Sequence, residues 1–182
     1  QGIDAELIIV GDGPYRERMQ QELKGLPVKF LGFKRGEELS TIYASADMFV
    51  FPSVTDTLGQ VVLESQGSGL PVLVTDQGGP KEVVVEGVSG HVLSVDRPND
   101  WVERIVGLLA DDERRTRMSH AAHASVQRYS LANSFDDFWA THTRAWHAHL
   151  ATLGIVPRTQ PVPEPVPAPE FRVVNKVQTP SH

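Results

Sequence analysis

Four short apolar runs recur along the chain: Glu6-Leu-Ile-Ile-Val10, Val28 to Phe33 (VKFLGF), Met48 to Phe51, and Val72-Leu-Val-Thr75. Each is too short for a buried helix and is followed within a few residues by Gly, Pro or Asp, which marks it as a buried strand. A fifth run, His91 to Val95, lies beyond a bend bracketed by Gly87 and Gly90. Between the runs lie segments of helical composition: a solvated one carrying Arg16 to Glu22, and Glu37 to Ala46 with Leu39, Ile42 and Tyr43 turned inward. Strands alternating with helices at this spacing predict an α/β fold, a doubly wound and mostly parallel sheet. Ligands of such sheets sit beyond the carboxyl ends of the strands. Three loops stand at that edge: Phe33 to Lys34, Pro52 to Gly59, and Gln77 to Pro80.

The stretch Pro52 to Ser65 (PSVTDTLGQVVLES) carries the most chemistry. Thr57 followed three residues later by Gln60 is a capping box and predicts a helix beginning near Leu58. Gly67, Gly69 and Pro71 stop that helix. Asp56 falls in the loop, and Glu64 on the helix eight residues on. Gly59, in the first helical turn, would let a ligand approach free backbone N–H groups, an end that favours phosphate. Amides for an anion and two carboxylates for hydroxyls together make a cradle for a nucleotide sugar.

The other loops read less sharply. Gly11-Asp-Gly-Pro14 is a tight turn with Pro14 suited to a helix start, and it serves equally as a plain strand-to-helix turn or as a ligand contact. Phe33 suits the core as well as a site. Asp76-Gln-Gly-Gly-Pro80 contains adjacent glycines, which either form a turn needing positive φ or an anion-binding nest; the turn with a site-lining role is preferred.

Composition removes several function classes. At 182 residues, 40% hydrophobic and 22% charged, the chain can bury one real core but not comfortably two. It has no cysteine, so no disulfide framework, thiolate metal site or catalytic thiol, which suits a reducing, cytoplasmic setting. No apolar run spans a bilayer, and the start, QGIDAEL, is no signal peptide. The first residue is Gln, which raises the expectation of a fragment or processed piece. Net charge is −6; from Ala151 on, three basic and two acidic residues give +1, leaving −7 on the body. An acidic body argues against nucleic acid as partner.

Asn99 to Leu109 and Glu113 to Tyr129 read as amphipathic helices. A last helix, Leu131 to Leu150, carries Phe135, Phe138, Trp139, His142, Ala145, Trp146 and His149 in a helical stripe suited to packing against a partner domain. His120 and His123 form the only i, i+3 histidine pair, and His142 and His147 are five apart, so no metal site is expected. Pro157 to Pro169 (PRTQPVPEPVPAP) is too rich in proline for helix or interior strand and reads as a disordered linker.

The run Asp56-Thr-Leu-Gly-Gln-Val-Val-Leu-Glu64, followed by Gly69-Leu-Pro-Val72, resembles the E-x7-E signature of retaining glycosyltransferases with the GT-B architecture. That group includes bacterial glycolipid and polysaccharide mannosyl- and glucosyltransferases. The resemblance extends from about Leu7 to Leu150, with the motifs in the family's order. It implies a Rossmann-like, nucleotide-sugar-binding lobe over residues 1–150 and a Pro-rich disordered tail over 151–182. By resemblance, Asp56 meets the transferred sugar's hydroxyls and steadies charge as the glycosidic bond breaks. Glu64 accepts hydrogen bonds from the ribose hydroxyls. Thr57, Leu58 and Gly59 present the loop's backbone to the diphosphate or sugar, and Gly32, Phe33 and Lys34 approach the base. Gly78 and Gly79 correspond to the family's loop beside the donor. No D-x-D triplet occurs, so transfer of a hexose without a metal is implied.

The chain also departs from the pattern. GT-B enzymes have two lobes, and this chain resembles most of the donor lobe only. An amino-terminal acceptor lobe is the expected partner, through which the enzyme could meet a membrane surface. The donor lobe should begin with a further strand and helix carrying a Gly-Arg and a Lys-Gly that clamp the diphosphate. No Gly-Arg is present and no Lys-Gly stands at that position; Lys24, Lys29 and Lys34 fall elsewhere. Asp56 stands where many relatives have Glu, and Leu58 where Phe is common. In a sheet of order 3-2-1-4-5-6 the absent strand is the central one. Leu7 to Val10 and Met48 to Phe51 are then expected to flank a slot roughly 10 Å wide, or to close it at the expense of neighbouring helices. Trp139 and Trp146 are expected to be exposed. Two alternatives stay open: another enzyme of the same architecture, such as a sugar-nucleotide epimerase or a phosphorylase, and a non-catalytic nucleotide-sugar binding module.

Overall fold

The structure, a computed structural model, describes residues 4–155. The order of elements is β1 (Leu7–Val10), α1 (Arg16–Glu22), β2 (Val28–Gly32), α2 (Gly36–Ala44), β3 (Phe49–Phe51), α3 (Gln60–Gly67) and β4 (Val72–Thr75). A 3-10 turn (Pro80–Val83), β5 (Gly90–Leu93), α4 (Pro98–Ala110), α5 (Asp112–Ser125), a second 3-10 turn (Val126–Tyr129) and α6 (Leu131–Thr152) complete it. All strand pairing is parallel, as expected of an α/β, Rossmann-like lobe.

The strands form two sheets, β1-β2 and β3-β4-β5. Among the described residues no ladder joins β1 to β3, the two strands expected to flank a vacant slot. Burial follows the same division. All four residues of β4 are buried, whereas Leu7 and Val10, at the two ends of β1, are exposed. A strand paired on both edges and covered on both faces reads as a continuous apolar run, and Val-Leu-Val-Thr is one.

The core is built outward from β4. Val72 and Val74 point to one face and pack with Val62 of α3 and with Val83, joined by Phe49, Phe51, Val61 and Leu63. Leu73 points the other way, onto Leu108 of α4, Met118 of α5 and Leu93 of β5. Each such buried aliphatic side chain contributes about 1.5–3 kcal/mol, so the alternation along β4 assigns α3 to one face and α4–α5 to the other. That arrangement leaves the segments after β3 and β4 side by side at the carboxyl edge.

One histidine is a buried strut. His91 on β5 lies with Nδ1 2.7 Å from Glu86 Oε1 and Nε2 2.9 Å from an Arg114 nitrogen. A guanidinium only donates, so Nε2 accepts and Nδ1 carries the hydrogen given to Glu86. Glu86 also accepts the N–H of Val92, tying β5 to the bend before it.

The chain divides into two compact units, residues 1–137 and 138–182, at a point within α6. In the second unit Phe138 and Trp139 stack on His142, and Trp146 lies against His149. Trp139 and Trp146 are more than half exposed, in line with their expected exposure. Among the described residues no helix is long and apolar enough to cross a membrane. The Pro-rich segment Pro157 to Pro169 lies outside the described residues.

Candidate functional site

The segment between β3 and α3 is folded back on itself by one carboxylate. Asp56 Oδ1 accepts the N–H of Leu58 at 3.0 Å and of Gly59 at 2.5 Å. Gly59 has φ 78°, a left-handed conformation that glycine adopts without penalty, and α3 starts at Gln60. The capping box expected from Thr57 and Gln60 is therefore not formed. An Asp three residues ahead of Gly59 reaches the amides first, as Asx turns do, and it delays the helix by two residues. The expectation that the amides of Leu58 and Gly59 stand open to an anion is corrected in the same way, since Asp56 satisfies both. The next two N–H groups, of Gln60 and Val61, find no partner among the described residues. Asp56 Oδ2 likewise accepts nothing there, so one oxygen of this half-buried carboxylate is spent and the other is free.

The segment after β4 packs directly on this loop. Gly79 donates its N–H to Asp56 O at 3.0 Å. A β-carbon on Gly79 would lie 1.9 Å from Thr57 O, and one on Gly78 2.7 Å from Asp56 O. Only a bare backbone fits there. The glycine pair is thus the floor under the Asp56 loop, and the reading as a turn fits better than an anion nest, because the N–H of Gly79 is already engaged. Thr75 Oγ1 accepts from Gln77 N at 2.8 Å, and Lys81 Nζ donates to Asp76 O at 2.9 Å, closing the turn.

Glu64 lies one turn into α3 and is exposed. Its charge bears on Tyr43 of α2, whose phenol is pushed above the usual tyrosine range, first by its own burial and second by the negative charge of Glu64. Tyr43 sits edge-on to Phe49, which stacks on Phe51, so an aromatic row runs from α2 across β3. Read from sequence, Tyr43 was an inward core residue. The available signal was its hydroxyl, which a buried tyrosine normally brings to a polar neighbour.

Phe33 and Lys34 belong to the other sheet. Gly32 ends β2 and its O accepts the N–H of Gly11 at 2.8 Å. Phe33 is 64% exposed, so it is not a core residue, and the Arg35 guanidinium covers its ring at 4.6 Å. Lys34 pairs with Glu38 at 3.3 Å. Beside them, on the turn after β1, a groove of about 640 Å³ is lined by Asp12, Gly13, Pro14, Arg16, Glu17 and Gln20. The structure therefore brings Asp56, Thr57, Leu58 and Gly59 together with Gly78 and Gly79. No hydrogen bond or ion pair among the described residues ties Phe33 or Lys34 to that group. No cluster of three or more His, Asp or Glu able to hold a metal ion occurs among the described residues.

Comparison with known proteins places these features in a family. The model of the family described as glycosyl transferases group 1 matches residues 1–111, more than half of the chain. The sulfoquinovosyl transferase SQD2 of Arabidopsis thaliana is 39% identical over 129 residues, covering 69% of this chain and 25% of the relative. A GDP-mannose-dependent alpha-mannosyltransferase of Corynebacterium glutamicum is 37% identical over 124 residues, covering 68% and 30%. The chain thus spans a quarter to a third of these relatives. Among solved structures, Anabaena Alr3699/HepE in complex with UDP-glucose superposes with a TM-score of 0.66 at 24% identity, over 76% of this chain and 41% of that one. The C-terminal domain of a Francisella tularensis group 1 glycosyl transferase (LpcC) is matched over 70% of its length, with TM-score 0.62 and 20% identity, and covers 69% of this chain. The chain belongs to the group 1 glycosyl transferases.

Proposed function

We propose that this chain is the donor-binding part of a cytoplasmic, retaining hexosyltransferase that takes its sugar from a nucleoside diphosphate sugar. The observation that carries the reading is the Asp56 loop, with one carboxylate oxygen holding the amides of Leu58 and Gly59 and the other free, followed by Glu64 on the helix those amides begin. In this reading Asp56 Oδ2 binds the hydroxyls of the sugar and offsets positive charge at the anomeric carbon as its bond to the diphosphate breaks. Glu64 accepts hydrogen bonds from the ribose. Thr57, Leu58 and Gly59 shape the sugar subsite, Gly78 and Gly79 form its floor, and Phe33 and Lys34 meet the base. The unpartnered N–H groups of Gln60 and Val61 add positive potential toward the leaving diphosphate.

The likeness to relatives that use GDP-mannose, and to a structure holding UDP-glucose, supports a nucleotide-sugar donor as a class without selecting base or sugar. The acceptor would be bound by an amino-terminal lobe, which could also bring the enzyme to a membrane surface. No metal is assigned a role. The test is a transfer assay on the full-length protein with UDP- and GDP-hexoses, reading the anomeric configuration of the product by NMR. An α-linked product from an α-linked donor supports the reading. An inverted product, or binding of donor with no transfer to any acceptor, rejects it, the second result in favour of a binding module.

A further inference from the structure

We propose that Arg16 is a positioning residue for the nucleobase: it clamps the turn at Gly32, and thereby sets where Phe33 and Lys34 present themselves. The inference rests on the reading of Phe33 and Lys34 as the base-facing segment.

Two arginines on α1 make i, i+4 ion pairs, and they differ. Arg18 pairs with Glu22 at 2.8 Å with its side chain 71% exposed, a solvated surface pair of little energetic weight. Arg16 pairs with Asp12 at 3.2 Å with its side chain 33% exposed, and it is turned against the neighbouring strand end. Its Nη1 lies 3.3 Å from where a β-carbon on Gly32 would be, and Nη2 4.0 Å away. The planar guanidinium therefore occupies the face that the missing side chain leaves open, and a flat group suits that position as an ammonium would not.

Gly32 is where the chain turns. Its φ is 68°, a left-handed conformation at the end of β2 that glycine adopts freely, and the space its missing side chain leaves is the space the guanidinium fills. The ladder with β1 is irregular at the same point: Ile9 pairs with Phe30 but Val10 pairs with Gly32, so Leu31 is bulged out. A bulge re-aims the chain that follows, and here the chain that follows is Phe33 and Lys34. Asp12 completes the bracket. One of its oxygens accepts the N–H of Gly13 at 2.8 Å, the other the Arg16 guanidinium, and the N–H of Gly11 bonds to Gly32 O. The Gly11–Pro14 turn, Asp12, Arg16 and Gly32 thus form one closed chain of contacts. Through it, the otherwise unexplained GDGP turn acts on the base-facing segment without touching the ligand.

The test measures binding of UDP, GDP and ADP to the full-length protein by calorimetry, with wild type, Arg16→Ala, Arg16→Lys and Arg18→Ala. Wild type is expected to prefer one base. In Arg16→Ala the turn at Gly32 is no longer braced, which lowers affinity for the preferred nucleotide about tenfold and brings the three affinities close together. Arg16→Lys keeps the charge opposite Asp12 and the stability of wild type, but loses base preference as Arg16→Ala does. Arg18→Ala leaves the preference intact. A purely structural role would lower the melting temperature of Arg16→Ala while leaving the ratio of affinities unchanged, and that result overturns the inference, as does a wild type that binds all three equally. A wild type that binds none of them overturns the underlying reading of the site instead.

Discussion

The Asp56 carboxylate accepts the backbone N–H of Gly59 at 2.5 Å, so the residue proposed to stabilise the reacting sugar also fixes the turn that leads into the helix behind it. The two roles use different oxygens. They can be separated because an amide keeps the acceptor oxygen needed to hold the turn but loses the charge.

Asp56→Asn is expected to unfold near the wild-type midpoint yet lose most turnover. Asp56→Ala is expected to lose the turn's two hydrogen bonds as well, at a cost of about 1–3 kcal/mol in denaturant unfolding. Equal destabilisation by both substitutions would show that the turn depends on the charge, and full turnover in Asp56→Asn would remove the residue from the reaction.

Glu64 is exposed and its carboxylate accepts no hydrogen bond among the described residues, its backbone O alone being bonded by Ser68, so its substitution should cost little in folding. A charge-assisted hydrogen bond to ribose contributes about 1.5–3 kcal/mol, and Glu64→Gln is expected to weaken donor binding about ten- to a hundredfold. Calorimetric titration with the donor checks this, and unchanged affinity would remove Glu64 from the ribose subsite.

Tyr43 offers a readout in which Glu64 is seen from the other side. Its phenol is raised above the usual value by burial and by the Glu64 charge, so in an ultraviolet titration it should ionise above the ordinary tyrosine range. Glu64→Gln should lower that pKa partway, because the burial contribution stays. The sign for stability follows. The unfolded chain ionises first, at a pKa of about 10, so Tyr43 contributes its full stabilisation below that pH and loses it as pH rises through the higher folded value. The stability of Tyr43→Phe should accordingly fall off less steeply above that pH than that of wild type.

Gly79 has no room for a side chain: a β-carbon would meet Thr57 O at 1.9 Å. Gly79→Ala must push the Asp56 loop off its floor, which overpacking of this kind costs about 1–3 kcal/mol. Turnover should drop with it, since the hydrogen bond from Gly79 N–H to Asp56 O is displaced as well. A stable, active Gly79→Ala would show that the two loops move independently.

The strands and helices were legible in the sequence to within a few residues because their signals are local. Val72 to Thr75 is apolar, β-branched and short, and it is the buried central strand of its sheet. Pro14, Pro71 and the glycines near them closed elements where backbone chemistry requires. The order of motifs carried the family as well. Four features needed the folded chain. Thr57 and Gln60 satisfy the capping pattern, but Asp56 wins the amides because its shorter path to them opens only once Gly59 turns left-handed. Phe33 is apolar enough for a core, yet it stands in solvent because the bulge at Leu31 swings it off the sheet, with Arg35 over its ring. Tyr43 and Glu64 are 21 positions apart on different helices, and Arg16 and Gly32 are 16 apart on a helix and a strand end. Sequence patterns report what one residue's own neighbours permit. Which distant side chain fills the space a glycine leaves, or which carboxylate bears on a buried phenol, is decided by how the helices settle on the sheets.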